Sequence, residues 1–129
     1  MNYTLQSNQL IFSIQDDAVT CSWSAENLPT HSPENANFFR VFLDNGVERE
    51  IAVFSRDQSG HVTKDGEKLI LTYDQLTDEF GRTYDVRLRI EVTEDNGVFC
   101  FETEVENRSA EVRVNEIDCP YVELSVIAN

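Results

Sequence analysis

Along residues 84–93 the chain alternates: Tyr84, Val86, Leu88, Ile90 and Val92 fall on one parity, Asp85, Arg87, Arg89, Glu91 and Thr93 on the other. A period of two is the signature of a strand with one face in a core and the other in water. Glu94-Asp95-Asn96-Gly97 follows, and Asn-Gly supplies the two residues best able to take the positive φ of a tight hairpin turn. The chain therefore reverses. Residues 98–105 run back with Phe99, Phe101, Thr103 and Val105 on one parity, and a second turn at Glu106-Asn107-Arg108-Ser109 leads to Val112 and Val114. This stretch predicts three consecutive antiparallel strands, closed by Pro120.

The rest of the chain reads in the same way. Residues 9–15 set Leu10, Phe12 and Ile14 against Gln9, Ser13 and Gln15; Asp16-Asp17 makes a turn, and residues 18–25 return with Val19, Cys21 and Trp23 on one parity. Residues 26–37, with Pro29, His31 and Pro33, predict a polar crossing loop. Strands over 38–43 and 50–55 flank Asp44-Asn45-Gly46, a hairpin signal. Residues 56–67 are a polar excursion with a turn at Asp65-Gly66, and 68–73 resume the strand pattern with Leu69, Leu71 and Tyr73 inward. Residues 73–79 have room for one helical turn, and 122–127 for a short last strand. No long window carries a helical apolar period. Many short strands between turn signals predict an all-β chain, a two-sheet antiparallel β-sandwich forming one domain over residues 1–129.

The segment Val105-Glu106-Asn107, a polar turn, an alternating strand and Pro120-Tyr121 together resemble the N-terminal β-sandwich of large glycoside hydrolases, of galactose mutarotase-like (supersandwich) architecture. Ser7-Asn8 before a strand, Asn37-Phe38-Phe39-Arg40-Val41-Phe42-Leu43 and Leu69-Ile70-Leu71-Thr72-Tyr73 extend the resemblance over most of the chain. It implies a module, truncated or pared down relative to the family, that packs on a catalytic domain of the same longer chain or on a second copy, and contributes to carbohydrate binding. Sugar-active members of that family use histidines with a carboxylate in the cleft of the sheet. Neither His31 nor His61 falls on a predicted strand, so the resemblance carries no catalytic residue over.

Charge narrows the partners. With 24 acidic and 10 basic residues the formal charge is −14, which repels a phosphate backbone and an anionic membrane surface alike. Nucleic acid and membrane are not expected partners. For a chain beginning at its native start, the absence of a basic n-region and an apolar h-region in MNYTLQSNQLIF excludes a signal peptide and implies a cytoplasmic protein. Cys21, Cys100 and Cys119 lie in strand patterns and read as buried thiols of a reducing compartment.

Chemistry-bearing patterns are sparse. The sequence has no Gly-x-Ser-x-Gly and no phosphate-binding glycine loop, and its two histidines stand apart in polar loops. No cofactor is implied. Glu102 and Glu104 share one face of a strand, which sets their carboxyls roughly 6–7 Å apart, inside the range of glycosidase pairs. The same spacing arises wherever two glutamates keep a strand face wet. Asp74, Asp78, Glu79 and Asp85 bracket Gly81 and offer hard oxygen ligands for calcium, in a spacing that also fits a solvated acidic loop. Trp23, Tyr73, Phe99 and Phe101 are the aromatic candidates for stacking on sugars, although their apolar parity favours a core. Asn2-Tyr3-Thr4 and Asn107-Arg108-Ser109 are glycosylation sequons, relevant only to a secreted chain.

The alternation and the sparse chemistry predict a non-catalytic β-sandwich module, and the resemblance implies that it is carbohydrate-associated. The competing readings are a small stand-alone carbohydrate-active enzyme, a glycosidase or mutarotase, using Glu102 and Glu104, and a calcium-dependent interaction module using the 74–85 loop.

Overall fold

The computed structural model of the chain describes residues 2–6, 10–25, 30–31, 37–121 and 125–126. Strands β1 (Asn2–Gln6), β2 (Leu10–Gln15) and β3 (Cys21–Ala25) form an antiparallel meander, continued by β4 (Thr30–His31). The hairpin of β5 (Arg40–Asp44) and β6 (Ile51–Phe54) is followed by one 3-10 turn, Ser55–Asp57. A second hairpin pairs β7 (His61–Asp65) with β8 (Lys68–Tyr73), and a small ladder pairs β9 (Leu76–Thr77) with β10 (Thr83–Tyr84). The longest pair is β11 (Val86–Asp95) with β12 (Val98–Asn107), after which come β13 (Arg113–Asp118) and β14 (Ser125–Val126). All pairings are antiparallel, and they give sheets of order β1-β2-β3-β4-β14, β12-β11-β8-β7, β13-β5-β6 and β10-β9. The chain is an all-β antiparallel sandwich, as the alternation predicts, with its hydrogen bonding divided among several ladders.

The central hairpin follows from its sequence. Val86, Leu88, Ile90 and Val92 are fully buried while the intervening residues face outward. At the turn Asn96 has φ 52° and Gly97 φ 83°, the paired positive values that only such residues take at low cost. The Glu94 side chain secures it, accepting the Gly97 N–H at 2.7 Å.

Aromatic rings tie the sheets together. Phe12 of β2 packs on Trp23 of β3 at 4.6 Å between centroids, and both meet Phe101 of β12 at 6.0 Å. Trp23 also takes Phe99 edge-on at 5.7 Å. From Phe12 the contacts run through Phe38 and Phe39 to Tyr73 of β8. Burying side chains of this size contributes about 1.5–3 kcal/mol each, so this row holds the five-stranded sheet to the four-stranded one. The Tyr73 hydroxyl, inside the core, donates to the Ala18 carbonyl, and burial raises its pKa well above the ordinary value.

Several local expectations are corrected. β13 does not extend the central hairpin; it pairs with β5 in another sheet. Arg108 N–H to Asp85 O (3.0 Å) and Asn107 Nδ2 to Val112 O (2.8 Å) carry the chain across the end of β11 instead of back along β12. His61 and His31 do lie on strands, β7 and β4; residues 61–65 are a water-facing edge with little apolar content, which hides β7 from a reading by alternation. β1 precedes the first predicted strand, β3 begins at Cys21, and residues 73–79 enter β9 rather than a helical turn. Cys100 is exposed on the outer face of β12 and Cys119 is only half-buried, while Cys21 is buried. The predicted loop over 26–37 and last strand over 122–127 lie largely outside the described residues. No helix is long and apolar enough to cross a membrane among the described residues.

Candidate functional site

The alternation of β5 sends Val41 and Leu43 into the core and leaves Arg40, Phe42 and Asp44 on the outer face. Cross-strand register surrounds these three with chosen neighbours. Asp118 of β13 and Phe54 of β6 flank Arg40; Glu116 and Ala52 flank Phe42; Arg113 faces Asp44. The Arg40 guanidinium lies 5.2 Å from the Phe42 centroid and 4.8 Å from that of Tyr121, with its Nε donating to Asp118 Oδ2 at 2.6 Å. That bond to Asp118 also raises the Arg40 pKa. A cation placed between two rings and held by a carboxylate is fixed in orientation.

On the Asp44 side of Phe42 the face sinks into a groove of about 320 Å³ lined by Phe42, Asp44, Arg49, Glu50, Asn115 and Glu116. A β-bulge builds it. The register of β13 slips between Val114 and Glu116, and a bulge re-aims the residue it leaves unpaired. Asn115 thereby points back over β5, its Nδ2 lying 3.4 Å from Asp44 Oδ2 and from the Arg49 carbonyl. Arg113 donates to both Asn115 Oδ1 and Asp44 Oδ2 at 3.1 Å. Asp44, its side chain 10% exposed, also accepts the Gly46 N–H at 2.7 Å. The Gly46 amide, with help from Asn115 and Arg113, holds its carboxyl below the usual carboxylate range. The groove therefore combines a half-buried ring with carboxylate, amide and guanidinium groups, several of them fixed by bonds to one another.

Residue by residue, the structure disperses the sequence-predicted sites. Trp23 and Tyr73 are core side chains and present no ring face to a ligand. Phe99 and Phe101 are half-buried against that core. Glu102 and Glu104 stand exposed on the outer face of β12 beside a shallow hollow shared with Arg89 and Glu91, and Arg89 reaches Glu104 at 3.9 Å. Neither lies in the apolar surroundings that separate acid from base in a glycosidase pair.

The 74–85 acids face different partners. Asp78 is buried and accepts bonds from Arg82 Nε (2.6 Å), Tyr84 Oη (2.7 Å), Phe80 N–H (2.9 Å) and Arg82 N–H (3.0 Å). Asp74 faces Arg87 and Asp85 faces Arg108, while exposed Glu79 uses its backbone amide on Ala52 O. Among the described residues no three His, Cys, Asp or Glu side chains converge to hold a metal ion.

His61 borders a larger depression, about 350 Å³, lined by polar side chains such as Thr72, Asp74 and Gln75 and by no Phe, Tyr or Trp ring. The His31 side chain and the Ser7-Asn8 pair lie outside what the structure describes. Sequence reasoning overlooked Phe42, although its signal was present: Arg-Val-Phe-Leu-Asp puts Phe42 on the parity of two charged residues, which marks it as outward-facing. Comparison of the chain with protein-family models, curated proteins and solved structures finds no match to any of them.

Proposed function

We propose that this chain is a non-catalytic β-sandwich module that binds carbohydrate on the outer face of β13-β5-β6, of the kind that accompanies a catalytic domain in large glycoside hydrolases. The observation that carries the reading is the groove of about 320 Å³ with the Phe42 ring at one end and Asp44, Glu50, Asn115, Glu116 and Arg49 around it. A sugar ring offers an apolar C–H face and a rim of hydroxyls. An aromatic face with a few fixed polar groups answers both requirements, and the volume is at the lower end for small-molecule sites, enough for one or two sugar rings.

The test is an NMR titration of labelled protein with a panel of neutral mono- and oligosaccharides, repeated on Phe42→Ala. Shift changes clustered at Phe42, Asp44, Asn115 and Glu116 and abolished by the substitution are expected. Phe42 faces outward, so its removal leaves the core filled. Silence across the panel, or changes that persist in Phe42→Ala, would reject the proposal.

A further inference from the structure

We propose that β12 is a docking edge, to which an extended basic segment of another protein adds as a fifth strand beside β12-β11-β8-β7. β12 runs ten residues and pairs on one side only among the described residues, with β11, in unbroken register from Val86↔Asn107 to Asp95↔Val98. Sheet edges are normally kept short, bulged, charged or covered to prevent such additions. The other ladders follow that rule: β7 is five residues long and β13 carries a bulge. β12 is neither short nor bulged, and its charges are all glutamates, which repel a like strand but not a basic one, so it leaves a long row of backbone groups open to such a partner.

Its two faces specify the occupant. Glu102, Glu104 and Glu106 stand exposed on the outer face at every second position, about 7 Å apart along the strand. Glu102 and Glu106 have no ion-pair partner among the described residues, and Glu104 has only the distant Arg89. On the inner face Phe99, Phe101 and Val105 are half-buried at the border of the core. A strand alternating basic with apolar residues would set its charges against the glutamates and continue the apolar layer beyond the phenylalanines.

A second copy does not meet that requirement. In an antiparallel pair, opposite residues lie on the same face. Registers that pair the 102–106 stretch of two β12 strands on the same face set its glutamates opposite or diagonal to those of the other copy, and each copy carries −14. Like charges across a ladder destabilise it.

The experiment uses the whole chain and a capped heptapeptide alternating valine and lysine, with a peptide of the same composition in two blocks and a valine–glutamate peptide as controls. Amide hydrogen exchange is followed residue by residue. The alternating lysine peptide should slow exchange at alternate amides within 98–107 by about tenfold or more, because those N–H groups become bonded. Neither control should do so. Glu102→Lys with Glu104→Lys should remove the protection and transfer it to the glutamate peptide; exposed Glu106→Lys alone serves as a second, milder variant and should weaken it.

Equal protection by the block peptide, none by the alternating one, or protection that persists in the lysine variants would overturn the proposal. Protection that rises with protein concentration in the absence of peptide would also overturn it, by assigning the edge to a second copy.

Discussion

Replacing Asp78 by alanine should be strongly destabilising, because its buried carboxylate is the acceptor that closes the 78–84 turn. Four bonds are lost at once: the Tyr84 hydroxyl, the Phe80 and Arg82 amides and the Arg82 guanidinium. The guanidinium is 44% exposed and keeps its two bonds to Glu48, so water replaces much of what it loses. The other three donors are part-buried and are left without their anion. Removing one partner of a buried charged network costs about 3–5 kcal/mol. For a chain of 129 residues that corresponds to a fall in Tm of about 10–18 °C.

The sole tryptophan, Trp23, is buried among Phe12, Phe99 and Phe101, so its fluorescence reports unfolding directly. In urea the midpoint should drop by about 2 M at a typical slope. Tyr84→Phe removes one bond and should cost about 1 kcal/mol, and the double variant should lose less than the sum. Glu48→Gln, at an exposed position, should barely move the midpoint. Burial pushes the Asp78 carboxyl up, but the Tyr84 hydroxyl and the Arg82 and Phe80 donors outweigh it and hold its pKa below the ordinary value. The stabilisation is therefore complete above the unfolded carboxylate pKa, near 4, and is lost as pH falls through the lower folded value. Asp78→Asn should flatten that acid limb. A loss below about 1 kcal/mol in Asp78→Ala would refute the reasoning, by showing that the turn closes without its acceptor.

Other substitutions test the packing and the corrected exposures. A Cβ on Gly60 would sit 2.6 Å from Tyr73 Cδ1 and 2.8 Å from the Thr72 carbonyl oxygen, so Gly60→Ala should destabilise by about 1–3 kcal/mol in urea unfolding. Gly97→Ala, at φ 83°, should cost about 1 kcal/mol by the same assay, from left-handed backbone strain. With a thiol reagent the native protein should show Cys100 reacting fast, and Cys100→Ser should abolish that phase. Cys119 should stay slow until unfolding, because burial raises its thiol pKa to about 12.

What the sequence revealed was local. The faces of β11 and the reversal at Asn96-Gly97 follow from neighbouring residues, and both are readable from the alternation and the turn chemistry. Partner choice is not local: Val112 and Val114 announce a strand face, but nothing in their parity says that β13 pairs with β5 rather than with β12. The strand at His61-Val62-Thr63-Lys64-Asp65 was hidden because a water-facing edge needs no apolar face to alternate with a polar one. Phe42 was legible by its parity with Arg40 and Asp44, yet the groove beside it depends on the Asn115 bulge in a strand seventy residues away in the chain. The burial of Asp78 was invisible for a similar reason, since an aspartate in an acidic loop reads as solvated until its donors are placed around it.

The distribution of charge gives the two proposed surfaces different physical characters. Arg40, Lys68, Arg82, Arg87, Arg89, Arg108 and Arg113 each hold a carboxylate, so most of the ten bases are already engaged. Glu104 and Glu106 of the β12 row stand opposite Arg89 and Arg87 in the ladder, but those bases bond Glu91 and Asp74 instead, so the row keeps much of its charge. Attraction of a basic strand to that row is an interaction between exposed charges, which salt screens over about 8 Å at physiological ionic strength. Stacking a neutral sugar on Phe42 is apolar contact and short hydrogen bonding, which salt hardly touches. Raising sodium chloride from 50 to 500 mM should thus weaken the lysine peptide several-fold and leave sugar affinity nearly constant. Peptide protection at β12 that ignores salt would mean the glutamates do not select the partner. Sugar binding that falls with salt would move its origin from the ring to the charges around it.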